Sequence, residues 1–276
     1  MLTWFLHFHK AGGTTVVALA RRNGEVLHNP NLNGCPLSAD RKVLRLWERS
    51  PRGLNSYLDE AIASRVTFVA SEWGVPDLEV LAQRPDVRVV TVVRDPIKRI
   101  ISNFKFDRQY GYSEWHSLAA WTDHPVKTHT FSNYYTRMLA RDAWRDDAPA
   151  EEMVAAAWRN LALVDHTVLM DQQDWVTTLC KRLGWYPYEV HENQSNLAIG
   201  DSSRLRAKHL RHGRLDLFAK TFRQHHTEDA ELHQLTTANQ LDIELYEQLR
   251  SASREIRLVG EQRPASKPRR ATVYRA

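Results

Sequence analysis

Met1-Leu-Thr-Trp-Phe-Leu-His-Phe-His-Lys-Ala-Gly-Gly-Thr-Thr15 is the stretch from which the architecture of the chain is read. An apolar run closing at Phe8 meets a Lys-Ala-Gly-Gly turn, and two threonines then lead into Val16, Val17, Leu19 and Ala20 at helical spacing. Strand, tight loop and helix in that order make an anion cradle. Gly12 and Gly13 carry no Cβ to keep a ligand off the backbone, and the new helix turns the positive end of its dipole toward the same point. Lys10 adds a mobile full charge at the mouth of the loop.

The same alternation continues outward. Residues 66–70, 87–93 and 163–170 read as further strands, and the near-continuous β-branched run Val87-Arg-Val-Val-Thr-Val-Val93 suits a parallel strand covered on both faces. Helices are predicted over 14–22, around 56–62 behind a Ser56-x-x-Asp59 capping box, and over 76–83. Further helices follow from Asp95, through much of 114–161, over 171–184 and through 206–249. Asp95 caps its helix and Pro96 occupies the first turn, where a missing N–H costs nothing. These elements predict an α/β fold: a single P-loop-like domain with a central parallel sheet flanked by helices, a helical C-terminal region, and ligands at the carboxyl ends of the strands. Residues 25–53 are turn-rich and read as either a lid or a concealed element, and 185–205 read as loop.

With 276 residues, 42% hydrophobic and 26% charged, the chain is long enough to bury a large core. No apolar run is long enough to span a bilayer and no leader pattern precedes the loop, so the expected location is cytoplasmic. Cys35 and Cys180 cannot build a disulfide framework and are expected to pack. The net charge of +5 is concentrated in the tail, where Arg263, Lys267, Arg269, Arg270 and Arg275 face only Glu261. The body is therefore nearly neutral, which argues against a nucleic-acid partner. Residues 1–260 are expected to form the folded domain and 261–276 a basic, disordered tail, solvated or steering an acidic partner.

A second motif lies at Val92-Val-Arg94-Asp-Pro-Ile-Lys-Arg-Ile-Ile-Ser102. Arg94 ends a strand and Ser102 lies two helical turns beyond Asp95 on the same face, so a phosphate can be gripped from both sides. A Walker A loop would place lysine after the last glycine, whereas here it precedes the glycine pair, which disfavours a P-loop kinase. The His7-x-His9-Lys10-x-Gly-Gly-Thr-Thr15 loop, with Arg94 and Ser102 in the right order, resembles the two cofactor motifs of sulfotransferases that use 3′-phosphoadenosine 5′-phosphosulfate (PAPS). The closest likeness is to bacterial relatives of carbohydrate 2-O-sulfotransferases. Asn133-x-x-Thr136-Arg137-x-Leu139, the segment 169–185 ending in Leu-Gly-Trp, and Asn239-x-Leu-Asp242-Ile-Glu-Leu-Tyr246 are similar to weaker motifs of the same family.

The resemblance implies in-line transfer of a sulfuryl group from PAPS to a hydroxyl of a carbohydrate or glycoconjugate, leaving 3′,5′-bisphosphoadenosine, with no metal required. Lys10 would stabilise the leaving phosphate; His9, Lys10, Ala11, Gly12, Gly13, Thr14 and Thr15 would hold the 5′ end, and Arg94 and Ser102 the 3′-phosphate. The general base of such enzymes follows the second strand, which points to Glu72, with Trp73 expected to exclude water and raise its pKa. A surface carboxylate, or a partner for Arg94 or Lys10, is the competing reading of Glu72. His7 and His9 share a strand face but lack a third metal ligand, and His225-His226 reads as solvated. Tyr110, Tyr112, Trp115 and Trp121 are candidates for an acceptor cleft or for core. Arg204, Arg206 and Lys208 either close over the cofactor or begin a helix. Tyrosine and small-metabolite hydroxyls remain alternative acceptors.

Overall fold

The computed structural model describes residues 1–110, 112, 117–123, 132–190, 207, 209–214 and 229–261. The chain runs β1 Leu2–Leu6, α1 Gly13–Arg22, a small hairpin β2 Asn31–Leu32 and β3 Cys35–Pro36, α2 Pro51–Ala63, β4 Phe68–Ser71, α3 Leu78–Ala82, β5 Val87–Val93, then α4 Pro96–Tyr110 and α5 Leu118–Thr122. It continues through α6 Tyr134–Ala140, α7 Ala150–Leu161, β6 His166–Leu169, α8 Trp175–Leu183, α9 Asp229–Ala238 and α10 Gln240–Glu261. β4, β1, β5 and β6 form one sheet in that order, all parallel. The α/β architecture is as the strand and helix alternation predicts. Trp115, Arg204, Arg206, Lys208, His225, His226 and residues 262–276 lie outside the described residues.

Both faces of the sheet are buried, as the apolar runs require. Leu2, Trp4, Leu6, Val89 and Val93 pack with Leu54, Leu58, Leu81, Tyr135, Leu161 and Leu245 from α2, α3, α6, α7 and α10. Phe5, Phe68, Val90, Val92 and Val168 face the other way, onto Val16, Val17 and Leu19 of α1 and Leu179 and Cys180 of α8. Each such side chain contributes roughly 1.5–3 kcal/mol by leaving water. Cys35 and Cys180 are free and buried within the second cluster. Among the described residues no helix is long and apolar enough to cross a membrane.

One open local reading is resolved and two are revised. Residues 25–53 contain a concealed element that covers the free edge of β4: Val26 O accepts from Thr67 N at 2.8 Å, and Gly34 O accepts from Ala70 N at 3.0 Å. Helix α2 begins at Pro51, with Ser50 Oγ accepting from Gly53 N at 3.2 Å; Ser56 lies inside it and donates to Glu60 at 3.1 Å. Ser50-Pro51, within the turn-rich stretch 25–53, is a cap followed by proline at the first helical position. Asp171 does not open α8. Its carboxylate accepts from Asp95 N at 2.6 Å and pairs with Lys98 at 2.9 Å, so it serves α4 from across the sheet end, beside Asp95, which caps Lys98 N as expected.

Two of the three weaker motifs, those at 133–139 and 239–246, interlock. Asn133 N donates to Asn239 Oδ1 at 3.0 Å and Leu241 N donates to Asn133 Oδ1 at 3.1 Å. Asp242, fully buried, accepts from Tyr135 N at 3.0 Å, Thr136 N at 2.8 Å and Thr136 Oγ1 at 2.9 Å. The first turn of α6 therefore takes its hydrogen-bond acceptor from α10. Asp242→Ala would strand three buried donors, and a stability loss of about 2–4 kcal/mol is expected in denaturant unfolding.

Candidate active site

The carboxyl ends of β1, β4 and β5 open into a cleft of about 610 Å3. The loop after β1 enters it by a sharp turn in which Lys10 and Gly12 take left-handed backbone angles, φ 62° and 79°. Gly12 is the N-cap of α1 and supplies no side-chain cap, and the positive end of the helix is turned toward the cleft that Gly12, Gly13, Thr14 and Thr15 line. Gly13 is required for a different reason. A Cβ there would lie 1.7 Å from Nε2 of His7, whose ring occupies that space. Lys10, Gly12, Gly13, Thr14 and Thr15 all line the cleft, while Ala11 is wholly buried beneath the loop.

Arg94 reaches the same cleft from the end of β5, and its guanidinium donates to Lys10 O at 3.4 Å. Ser102 lines the same cleft from α4. Two tyrosines of α6 fix the loop ends. His9 N donates to the Tyr134 hydroxyl at 3.1 Å, while Tyr135 accepts from Arg94 N at 3.2 Å and donates to Arg94 O at 3.0 Å. Burial and then Arg94 lower the pKa of Lys10 to about 8, against the pull of Asp107 and Glu72, so the ammonium remains the main form at neutral pH.

Glu72 is drawn into a cluster that sequence reading did not foresee. Its Oε1 lies 2.8 Å from His9 Nδ1, its Oε2 lies 3.6 Å from the buried His7 Nδ1, and His9 Nε2 sits 2.9 Å from Asn103 Oδ1. Burial pushes the Glu72 carboxyl up, but His7, His9 and Lys10 together outweigh it and hold the group below the usual carboxylate range. This reverses the expected direction. Trp73 is 47% exposed, and the groups that set the charge of Glu72 are the imidazoles of His7 and His9 and the Lys10 ammonium. Burial also lowers the pKa of His7. Among the described residues no group of three or more histidine, cysteine, aspartate or glutamate side chains is placed to hold a metal ion.

The aromatic candidates divide. Trp121 is wholly buried and donates to Asp107 at 3.0 Å, so it is core and leaves the acceptor-cleft set. Tyr110 and Tyr112 are exposed and pack against Phe106, which lines the cleft. Phe106 was missed, although it lies one helical turn beyond Ser102 and so on the same face. Asn103 was missed because nothing local marks a buried asparagine as a histidine partner. Trp175, at the start of α8, faces Gly12 and lines the far wall; its place after the carboxyl end of β6 was the available signal.

No family model matches the chain, and no curated protein matches it. Among solved structures, the chain is similar to the crystal structure of a sulfotransferase from Alicyclobacillus acidocaldarius, at 15% identity and a TM-score of 0.37, over 82% of this chain and 97% of that one.

Proposed function

We propose that this chain transfers the sulfuryl group of PAPS to a hydroxyl of a carbohydrate or glycoconjugate. The observation that carries the reading is the convergence of Lys10, the first turn of α1, Arg94 and Ser102 on one cleft at the strand ends. A nucleoside with phosphates at two positions presents two anions. The cleft offers a cation with hydroxyl or N–H donors for each: Lys10 with Thr14, Thr15 and the α1 amides, and Arg94 with Ser102.

The donor, when bound, supplies an activated sulfuryl group, and the residues of the chain orient it, neutralise charge and take up a proton. Lys10 counters the negative charge that develops on the departing 5′-phosphate oxygen, while the α1 amides hold that phosphate in line. Glu72 receives the acceptor's proton. Because its pKa is held low, Glu72 is ionised at neutral pH but pulls weakly. It therefore suits a proton that leaves late, once the hydroxyl oxygen has begun to bond to sulfur. His9 fixes the orientation of that carboxylate through its 2.8 Å contact. The exposed Tyr110 and Tyr112 beside the cleft offer ring faces for a sugar acceptor to stack on.

Calorimetric titration of 3′,5′-bisphosphoadenosine without metal is expected to show binding that Arg94→Ala weakens by about 10- to 100-fold. Preferential binding of ATP with Mg2+ would overturn the reading. With PAPS and an oligosaccharide panel, Lys10→Ala is expected to lower kcat by about 100- to 1000-fold. Glu72→Gln is expected to lower it by about 100-fold while bisphosphate affinity is kept; unchanged turnover would remove Glu72 from the chemistry. Turnover on tyrosine peptides or phenols in place of sugars would reassign the acceptor.

The pH dependence follows from Lys10. Its anion-binding form is the protonated one, with a pKa of about 8 in the free protein. Bisphosphate affinity should be full below that pH and fall above it, approaching about tenfold per pH unit. Lys10→Arg, which stays charged, should flatten the fall.

A further inference from the structure

The Lys10 ammonium sits in a setting that works against its charge. It is largely removed from water and shares the cleft with the Arg94 guanidinium. Burial and Arg94 both favour the neutral amine, and Asp107 and Glu72 only partly restore the balance. The imidazoles of His7 and His9 also face this group from the loop it belongs to.

One further contact favours the charged form. Lys10 Nζ lies 3.9 Å from the centroid of the Phe106 ring, well inside the range of a cation–π interaction. The ring's negative face attracts an ammonium and not a neutral amine, so the contact selects between the two protonation states. It also selects a place. Lysine ends on a four-carbon stem with many rotamers, and a seat on an aromatic face confines that end to the cleft that both residues line. The seat is itself braced, since Phe106 packs against Tyr110 at 4.6 Å and Tyr112 at 5.9 Å, and meets His9 edge-on at 6.3 Å. The helix supplies the register: Ser102, Asn103 and Phe106 project from α4 toward the phosphate-holding, His9-holding and Lys10-holding parts of one site.

We propose that Phe106 is the positioning residue for Lys10, holding the ammonium charged and confined within the cleft before any ligand arrives. The proposal rests on Lys10 being the anion-facing residue of the site, and its test does not require a donor or an acceptor. Lysines of the ligand-free protein are reductively methylated with 13C, the Lys10 resonance is assigned by its loss in Lys10→Arg, and its pH titration is followed by NMR. In the wild type the signal should be shifted upfield by the ring current of Phe106 at low pH.

Phe106→Leu keeps apolar bulk and removes the π face. It should abolish the upfield shift and lower the titration midpoint of Lys10 by about half a unit to one unit. Phe106→Tyr keeps the face and should retain both properties; Phe106→Met is a second aliphatic control should the leucine variant fold poorly. The fall of bisphosphate affinity with pH should begin correspondingly earlier in the aliphatic variants. An identical midpoint and an identical chemical shift in wild type and Phe106→Leu would overturn the proposal, even if the wild type binds the bisphosphate. Failure of the wild type to bind it would count instead against the sulfotransferase reading.

Discussion

A single carboxylate, that of Glu72, ties together the elements that form the cleft. It stands at the end of β4, contacts His9 at 2.8 Å and His7 at 3.6 Å, and through His9 reaches Asn103 on α4. Taking such a group out of water is costly, and the two imidazoles with Lys10 offset that cost. The consequence is geometric. The His7 ring is drawn into the space beside the α1 N-terminus, so the residue facing it at position 13 can carry no side chain. The glycine of the anion cradle is thus demanded from below by a buried histidine as well as from above by any ligand.

The second support comes from the far side of the fold. Asp242 and Asn239, at the start of α10, hold the first turn of α6 in place. That turn carries Tyr134 and Tyr135, whose hydroxyls engage the backbone of His9 and of Arg94. The two cationic corners of the cleft, Lys10 and Arg94, are in this way spaced by a pair of tyrosines. Their hydroxyls lie in a core where an unpaired polar atom would be expensive, and the loop backbone satisfies them. The C-terminal helix, distant in sequence, therefore contributes to the precision of a site it does not line.

Charge within the cleft is balanced by proximity and not by simple pairing. Lys10 has Arg94 against it, and Glu72, Asp107 and the Phe106 face in its favour. An ammonium poised in this way has capacity left for an incoming anion, which a lysine locked in a strong salt bridge would lack. Glu72 shows the converse: its environment keeps it ionised, so it is ready to accept a proton without competing strongly for one.

The local patterns carried a great deal on their own. β-branched runs, the glycine pair after a strand and the Asp95-Pro96 helix start each act over a few residues, and hydrophobic periodicity and capping chemistry read them directly. These determined the parallel α/β sheet and the residues 10, 12–15, 94 and 102 that share its cleft. The sequence could not tell the pKa direction of Glu72, because that depends on which cations fold back around it, nor the burial of Trp121. It also could not tell that Asp171 caps a helix other than its own, that residues 25–53 cover a strand edge, or that Asn103 and Phe106 belong to the site. Those are contacts between segments far apart in the chain, set by which helix packs over which strand end. Only the tertiary structure decides them, because a side chain's local spacing states which face it occupies but not what stands opposite.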